Sequence, residues 1–213
     1  MTPSPGGCAP IYTGTPQGND AGFFSTISVP AASTAPGCYQ IAFVETDNPG
    51  SGYTGYPIGW TPVFGQGGPI LSEIIIHKNV QNEPANNLWT TAGTISEVYE
   101  LNISAICDTS GYDGGIVAYS DDDADSMTIG APATSSTGAN EIALAFSNMP
   151  WNAVVTMNGP SGLTGFYTSV PSLGGYWYHG SPRDLSVDVN PVSPAYEGSG
   201  VTFQAAFAPG ECS

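Results

Sequence analysis

The chain reads as all-β: an antiparallel β-sandwich of jelly-roll type, preceded by an extended N-terminal arm. Three observations predict this. Apolar segments of strand length recur from Phe23 to Ala208, rich in Val, Ile, Tyr, Phe and Trp and separated by turn residues. Two of them alternate with a period of two: Val98, Glu100, Asn102 and Ser104 against Tyr99, Leu101, Ile103 and Ala105, and the series Val201, Phe203, Ala205, Phe207. Glycine and proline, 28 and 19 residues of 213, interrupt the chain too often for helices, and no segment carries a 3.6 period.

Taken in order, strands are expected over Phe23–Val29, Cys38–Thr46, Trp60–Phe64, Ile70–Lys78, Leu88–Thr90, Val98–Cys107 and Gly115–Tyr119. A second series follows over Ser126–Ile129, Glu141–Phe146, Asn152–Met157, Gly165–Val170, Tyr176–His179, Leu185–Val189 and Val201–Ala208. Asn48-Pro49-Gly50, Gly67-Gly68-Pro69, Asn158-Gly159-Pro160 and Gly174-Gly175 supply turn chemistry between them. Residues 1–22 are rich in Pro, Gly, Ser and Thr with little periodicity, so they are expected to form the arm. Residues 23–213 then form one sandwich domain, a length at which a single domain buries roughly 70% of its unfolded surface. Within it two halves, 23–110 and 126–208, show a short echo. Ala35-Pro36-Gly37 before Ile41-Ala42-Phe43 has a counterpart in Gly138-Ala139-Asn140 before Leu144-Ala145-Phe146.

Charge excludes whole classes of function. Lys78 and Arg183 are the only basic residues against 18 acidic ones, a formal charge of −16. A phosphate polyanion would find almost no cationic partner, so nucleic-acid binding is not expected. Trypsin-like proteases would find two cleavage positions at most, which suits an exposed exterior. No apolar run is long enough to cross a bilayer. Residues 1–7 have neither a basic nor an apolar signal region, so synthesis in the cytosol is expected.

Cys8, Cys38, Cys107 and Cys212 allow three pairings and show no zinc or redox spacing. Either a staple between Cys8 and Cys212 near the two ends, with Cys38 and Cys107 in apolar strands, or buried free thiols would fit. Asp121-Asp122-Asp123-Ala124-Asp125 is the densest charge, and clustered carboxylates are what calcium requires. The stretch lacks the EF-hand pattern, and a solvated acidic turn is the competing reading. His77 and His179 sit in no nucleophile or metal pattern, so no catalytic residue and no cofactor is assigned. Paired carboxylates able to cleave a glycosidic bond would arise by chance among so many acids. The aromatic cluster Phe166, Tyr167, Tyr176, Trp177, Tyr178 and His179 is the best candidate for a contact surface, and burial in the sandwich core is the competing, preferred reading. Alternation buries Trp177 and exposes Tyr176 and Tyr178, or the reverse. Trp151, Tyr53 and Tyr56 are further loop-borne candidates, and Trp60 is assigned to a core turn.

The succession Ala35-Pro36-Gly37-Cys38-Tyr39-Gln40-Ile41-Ala42-Phe43-Val44, Pro57-Ile58-Gly59-Trp60-Thr61, Ile75-Ile76-His77-Lys78, Glu83-Pro84 and Leu88-Trp89-Thr90 resembles a β-sandwich module of bacteriophage minor tail and other virion proteins. The Asn140–Phe146 and Val201–Pro209 segments resemble that module's final half, so the likeness covers about residues 23–209. The acidic residue usual after the small-residue turn is Cys38 here. The resemblance implies a virion structural protein without a common active site. With the acidic exterior it leads to the expectation of a capsid decoration, or cement, protein on the outer head surface, made in the host cytoplasm. Its partners would be the major capsid protein or other virion proteins, and it would form a closed homo-oligomer, a trimer by preference. The alternative is a tail or fibre adhesin that binds host-surface glycan through exposed aromatics.

Overall fold

The computed structural model describes residues 8–21, 26–46, 53–66, 71–91, 98–120, 126–136, 140–148, 153–158, 163–167, 173–191 and 200–211, and among them there is no helix. Sixteen strands are described. The first eight are β1 (Ile11–Ala21), β2 (Thr26–Pro30), β3 (Tyr39–Thr46), β4 (Tyr53–Gly55), β5 (Thr61–Gln66), β6 (Leu71–Lys78), β7 (Asn86–Thr91) and β8 (Val98–Cys107). The second eight are β9 (Thr109–Ser120), β10 (Ser126–Ile129), β11 (Ile142–Asn148), β12 (Ala153–Asn158), β13 (Thr164–Tyr167), β14 (Leu173–His179), β15 (Leu185–Pro191) and β16 (Gly200–Pro209). All fourteen strands expected from the sequence overlap one of these.

Both runs of eight fold in the same way. The first forms the sheets β1-β8-β3-β6-β5 and β2-β7-β4, the second β9-β16-β11-β14-β13 and β10-β15-β12. In each, the first strand pairs with the eighth, the second with the seventh and the third with the sixth. That order arises when a long hairpin wraps its two arms into a pair of sheets, which is the jelly-roll arrangement. Both runs also share one departure, because the fifth strand pairs with the sixth and not with the fourth. The chain is therefore a tandem of two jelly rolls.

The sequence echo lies in equivalent places. β3 starts with Tyr39 opposite Lys78, and β11 starts with Ile142 opposite His179. Ile41-Ala42-Phe43 and Leu144-Ala145-Phe146 thus each begin at the third residue of their strand. The closing hydrogen bond matches as well: Asn79 N donates to Cys38 O at 2.8 Å, and Gly180 N donates to Glu141 O at 3.0 Å.

Two expectations need correction. Residues 11–21 are not an arm but the strand β1, which lies at the edge of a five-stranded sheet beside β8. The single domain over 23–213 is replaced by two compact units, residues 13–105 and residues 106–213 together with 1–12. No linker marks the boundary between the repeats. Asp108, with φ 52°, is the sole residue between β8 and β9. Gly174 and Gly175 form no turn either; they pair with Ser147 and Phe146 inside the β11–β14 ladder. A glycine opposite Phe146 leaves room for that ring on a packed face.

Each repeat has its own interior. In the first, Ile27, Val29, Ala42, Val44, Ile75, Ile103 and Ala105 pack around Trp60 and Trp89. In the second, Ile129, Ala143, Ala145, Tyr178 and Leu185 pack together, with Ile116, Leu163 and Tyr176 against them. In β8 Ile103 and Ala105 enter this interior, but the expected wet face is not seen among the described side chains. Ser104 on the opposite face is buried too, as are Ile41, Phe43 and Ile74. In β16 the interior takes Gln204 and Ala206, which pair with Ala145 and Ala143, while Phe203, Ala205 and Phe207 are buried on the other face. Both large sheets therefore bury their central strands on both faces, which is why those strands read as continuous apolar runs.

Candidate functional site

Of the segments that carry the virion-module resemblance, those from Ala35 to Thr90 lie in the first repeat, and Asn140–Phe146 and Val201–Pro209 lie in the second. Pro57-Ile58-Gly59-Trp60 forms a turn closed by Trp60 N donating to Pro57 O at 3.2 Å, with Gly59 at φ 90°. A positive φ at the third turn position demands glycine. Space demands it again, because a Cβ there would lie 2.5 Å from Cε1 of His77. The turn lays Trp60 on the His77 ring, centroids 5.6 Å apart, and on Trp89 at 4.9 Å. Trp60 Nε1 donates to Asn87 Oδ1 at 3.2 Å. His77 Nε2 lies 2.8 Å from Glu83 Oε1, both side chains nearly enclosed, and Glu83 Oε2 accepts Val80 N at 3.2 Å. The motif is thus a structural pin that fastens the end of β6 to the following loop, and the assignment of Trp60 to a core turn holds.

Tyr56 belongs to the same region. It meets Trp89 edge-on and donates its hydroxyl to Glu73 Oε2 at 3.1 Å. Burial, reinforced by the Glu73 charge and this hydrogen bond, pushes its phenol up to about 12. Burial also raises the Glu73 carboxyl above its usual value, against the opposing hydrogen bond from Tyr56.

The second repeat pins the same place with other chemistry. Tyr178 donates to Gln204 Oε1 at 2.8 Å and accepts Arg183 N at 3.1 Å, again tying the sixth strand to the next loop. Gln204 Nε2 donates to Gly130 O at 2.8 Å. Both basic side chains of the protein lie over tyrosine rings: Lys78 Nζ is 5.4 Å from the Tyr39 centroid and Arg183 Cζ is 5.9 Å from that of Tyr178.

At the position that Cys38 holds before β3, the second repeat has Glu141 before β11. Register shifts between β9 and β16 leave Asp113 as a bulge residue, and bulges re-aim side chains. Asp113 accepts Ser135 N at 3.1 Å, Ser136 N at 2.9 Å and both serine hydroxyls, that of Ser136 at 2.7 Å. Burial alone would raise its carboxyl, but these four hydrogen bonds outweigh it and hold Asp113 below 3.8. The lowered value means stability that is present above about pH 4 and lost as pH falls through the folded-state value.

Ser136 Oγ also lies 2.7 Å from Glu141 Oε1. Glu141 is 1% exposed, and its Oε2 has no partner among the described residues. A buried carboxylate so poorly satisfied is costly. Glu141→Gln removes the charge and sets an amide, which can donate, beside the Ser136 oxygen whose single proton goes to Asp113, so it is expected to stabilise the fold by about 1 kcal/mol in urea unfolding. A loss of stability of that size would show that the charge itself is needed.

The expected aromatic cluster divides by strand face. Tyr178 is buried and Tyr176 half-buried toward the interior, while Trp177 is half-buried and His179 exposed on the other face. Trp177 stacks on Tyr12, centroids 5.6 Å apart and planes 9° apart, and His179 meets its edge at 5.3 Å. Tyr12 is the partner that sequence reading missed, since it fell in the expected arm. Its signal was the β-prone triplet Ile11-Tyr12-Thr13. Trp151, Asp121–Asp125, Cys212 and the side chains of Tyr53, Phe166 and Tyr167 lie outside the described residues.

Cys8, Cys38 and Cys107 are each in a disulfide, so the free-thiol alternative does not hold for them. Cys8 also forms a β-bridge with Gly210, which brings the two ends of the chain together. No helix among the described residues is long and apolar enough to cross a membrane. Among the same residues no three His, Cys, Asp or Glu side chains gather as metal ligands would.

Strand order and interior together define a tandem jelly-roll protein with pinned loops. Compared with known proteins, the chain matches no family model, no curated protein and no solved structure.

Proposed function

We propose that the chain is a structural protein of a bacteriophage virion, a decoration protein of the outer head surface that binds the major capsid protein as a homo-oligomer. The observation that carries this reading is the jelly-roll strand order of both repeats, an architecture that recurs in viral capsid domains as it does in lectins and cupins. A formal charge of −16 with two basic residues supports an exterior position. The disulfides support it as well, since such bonds persist outside the reducing cytosol and would close after release of the particle. The pinned motif of the first repeat serves the fold; no catalytic role is assigned to it.

The test is electron cryomicroscopy and mass spectrometry of phage particles purified from cells that make the chain. Regular density of this mass across the head facets is expected. Absence of the chain from purified particles would overturn the reading.

The adhesin alternative rests on the Tyr12–Trp177 stack with exposed His179 beside it, because sugars pack on such ring faces. Density confined to the tail, with loss of host adsorption in Trp177→Ala, would favour it over decoration.

A further inference from the structure

One end of the first repeat is built from residues 31–40, 56–62 and 76–90, all of them described, which bond to one another. Gly37 N donates to Asn79 O at 3.0 Å, Ala31 N to Ala85 O at 2.9 Å and Asn79 Nδ2 to Ser33 O at 2.7 Å. The Pro57–Trp60 turn rests on His77.

Acidic charge is missing from the surface of this end. Of the protein's eighteen acidic residues the three segments hold Glu83 alone, and its side chain, 1% exposed, is turned inward to His77. Lys78 is exposed, and around it lie the exposed neutral residues Ala35, Pro36, Pro84 and Ala85. Two large apolar side chains stand out from the same end: Ile58 is 100% exposed and Val80 59%. Exposed aliphatic residues are ordinary when scattered singly. What sets this pair apart is its support. Gly59 at φ 90° closes the turn against His77, Trp60 is held by His77 and Trp89, and Glu83 ties His77 to Val80 N. The buried pin therefore fixes Ile58 and Val80 before any partner arrives, so docking them costs little ordering entropy.

We propose that this end docks the protein on the major capsid protein, Ile58 entering an apolar socket whose rim carries a carboxylate for Lys78. The inference rests on the decoration reading for the partner and goes beyond it by assigning the contact. Charge and shape select a different protein over other occupants. On a chain of net charge −16, this end can approach an acidic neighbour without exposed carboxylates, and the exposed charge it offers is a cation. About a twofold axis with a second copy, the projecting Ile58 would meet Ile58 and Lys78 would meet Lys78, whereas such a contact must be self-complementary. An anionic bilayer is bound by clusters of basic residues, and these segments hold one lysine and no arginine.

The experiment is quantitative mass spectrometry of the chain in purified phage particles that carry wild type or single variants, with urea unfolding of each free protein alongside. Ile58→Asp is expected to cut the copies per particle at least about tenfold, as loss of a central anchor does. Its unfolding should match wild type, because the side chain is fully exposed in the free protein. Ile58→Val should load normally, and so should Thr128→Asp, which places the same charge on an exposed site of the second repeat. A photo-crosslinking residue at position 58 should join the chain to the major capsid protein on irradiation. If wild type loads and Ile58→Asp loads equally, this inference is overturned and the decoration reading stands; if wild type is absent from the particles, both fall. Equal losses in Ile58→Asp and Thr128→Asp overturn the inference too, as does a cross-link formed only to another copy or to lipid.

Discussion

Replacing Trp89 with alanine is expected to destabilise the protein by about 3–5 kcal/mol, the largest single loss available in the first repeat. Trp89 is 0% exposed. It sits at the centre of that repeat's interior, edge-on to Trp60 at 4.9 Å and to Tyr56 at 6.3 Å, and pairs across strands with Ile27. The cavity left behind cannot collapse easily. Trp60 is held by its turn and by Asn87, and Tyr56 by Glu73. Urea unfolding followed by tryptophan fluorescence and by far-ultraviolet circular dichroism would measure the loss. Because each repeat has its own interior, the mutation is expected to separate the transition into two steps, the first repeat melting early. A single cooperative transition with a loss under about 1 kcal/mol would mean that Trp89 is not the packing centre.

Gly114→Ala is the second large effect, expected at about 3 kcal/mol or more. Gly114 has φ 146°, and an added Cβ would lie 2.0 Å from the carbonyl oxygen of Ala133, a backbone atom that cannot swing aside. The residue stands next to the Asp113 bulge, so any shift also pulls Asp113 from Ser135 and Ser136. The loop over 131–136 would come away from β9, and protection of the Ser135 and Ser136 amides in hydrogen exchange should be lost. Gly37→Ala is the comparison. Gly37 has φ 84°, but a methyl added there would meet nothing within 4 Å, so only the backbone cost of about 1–2 kcal/mol remains. Equal losses at the two positions would show that the close approach at Gly114 is of no consequence.

How much of the site was legible depended on where its signal lay. Trp60 could be placed in a core turn from Pro57-Ile58-Gly59-Trp60 alone, because the turn type and its glycine are local properties. That His77 and Glu83 would meet beneath that turn could not be read, since the contact depends on a loop folding back on the end of β6. The aromatic strand 176–179 announced its alternation, yet which face was wet could not be decided. Burial of Tyr178 is set by Gln204 and Arg183, which lie far from it or in the next loop.

The all-β class, the position of fourteen strands and the short echo between Ile41-Ala42-Phe43 and Leu144-Ala145-Phe146 were legible from residue order, for these rest on period-two patterning and turn residues a few positions apart. The rest was settled on folding. Pairing made a strand of residues 11–21, whose weak pattern is completed by hydrogen bonds to β8, and the chain divided into two repeats at Asp108, where no linker composition signals a boundary. Both faces of the large sheets became buried, so that Phe203 and Phe207 lie on the face away from their own repeat's interior. A side-chain period shows that two faces differ, but which of them is covered depends on residues that only the folded chain brings near.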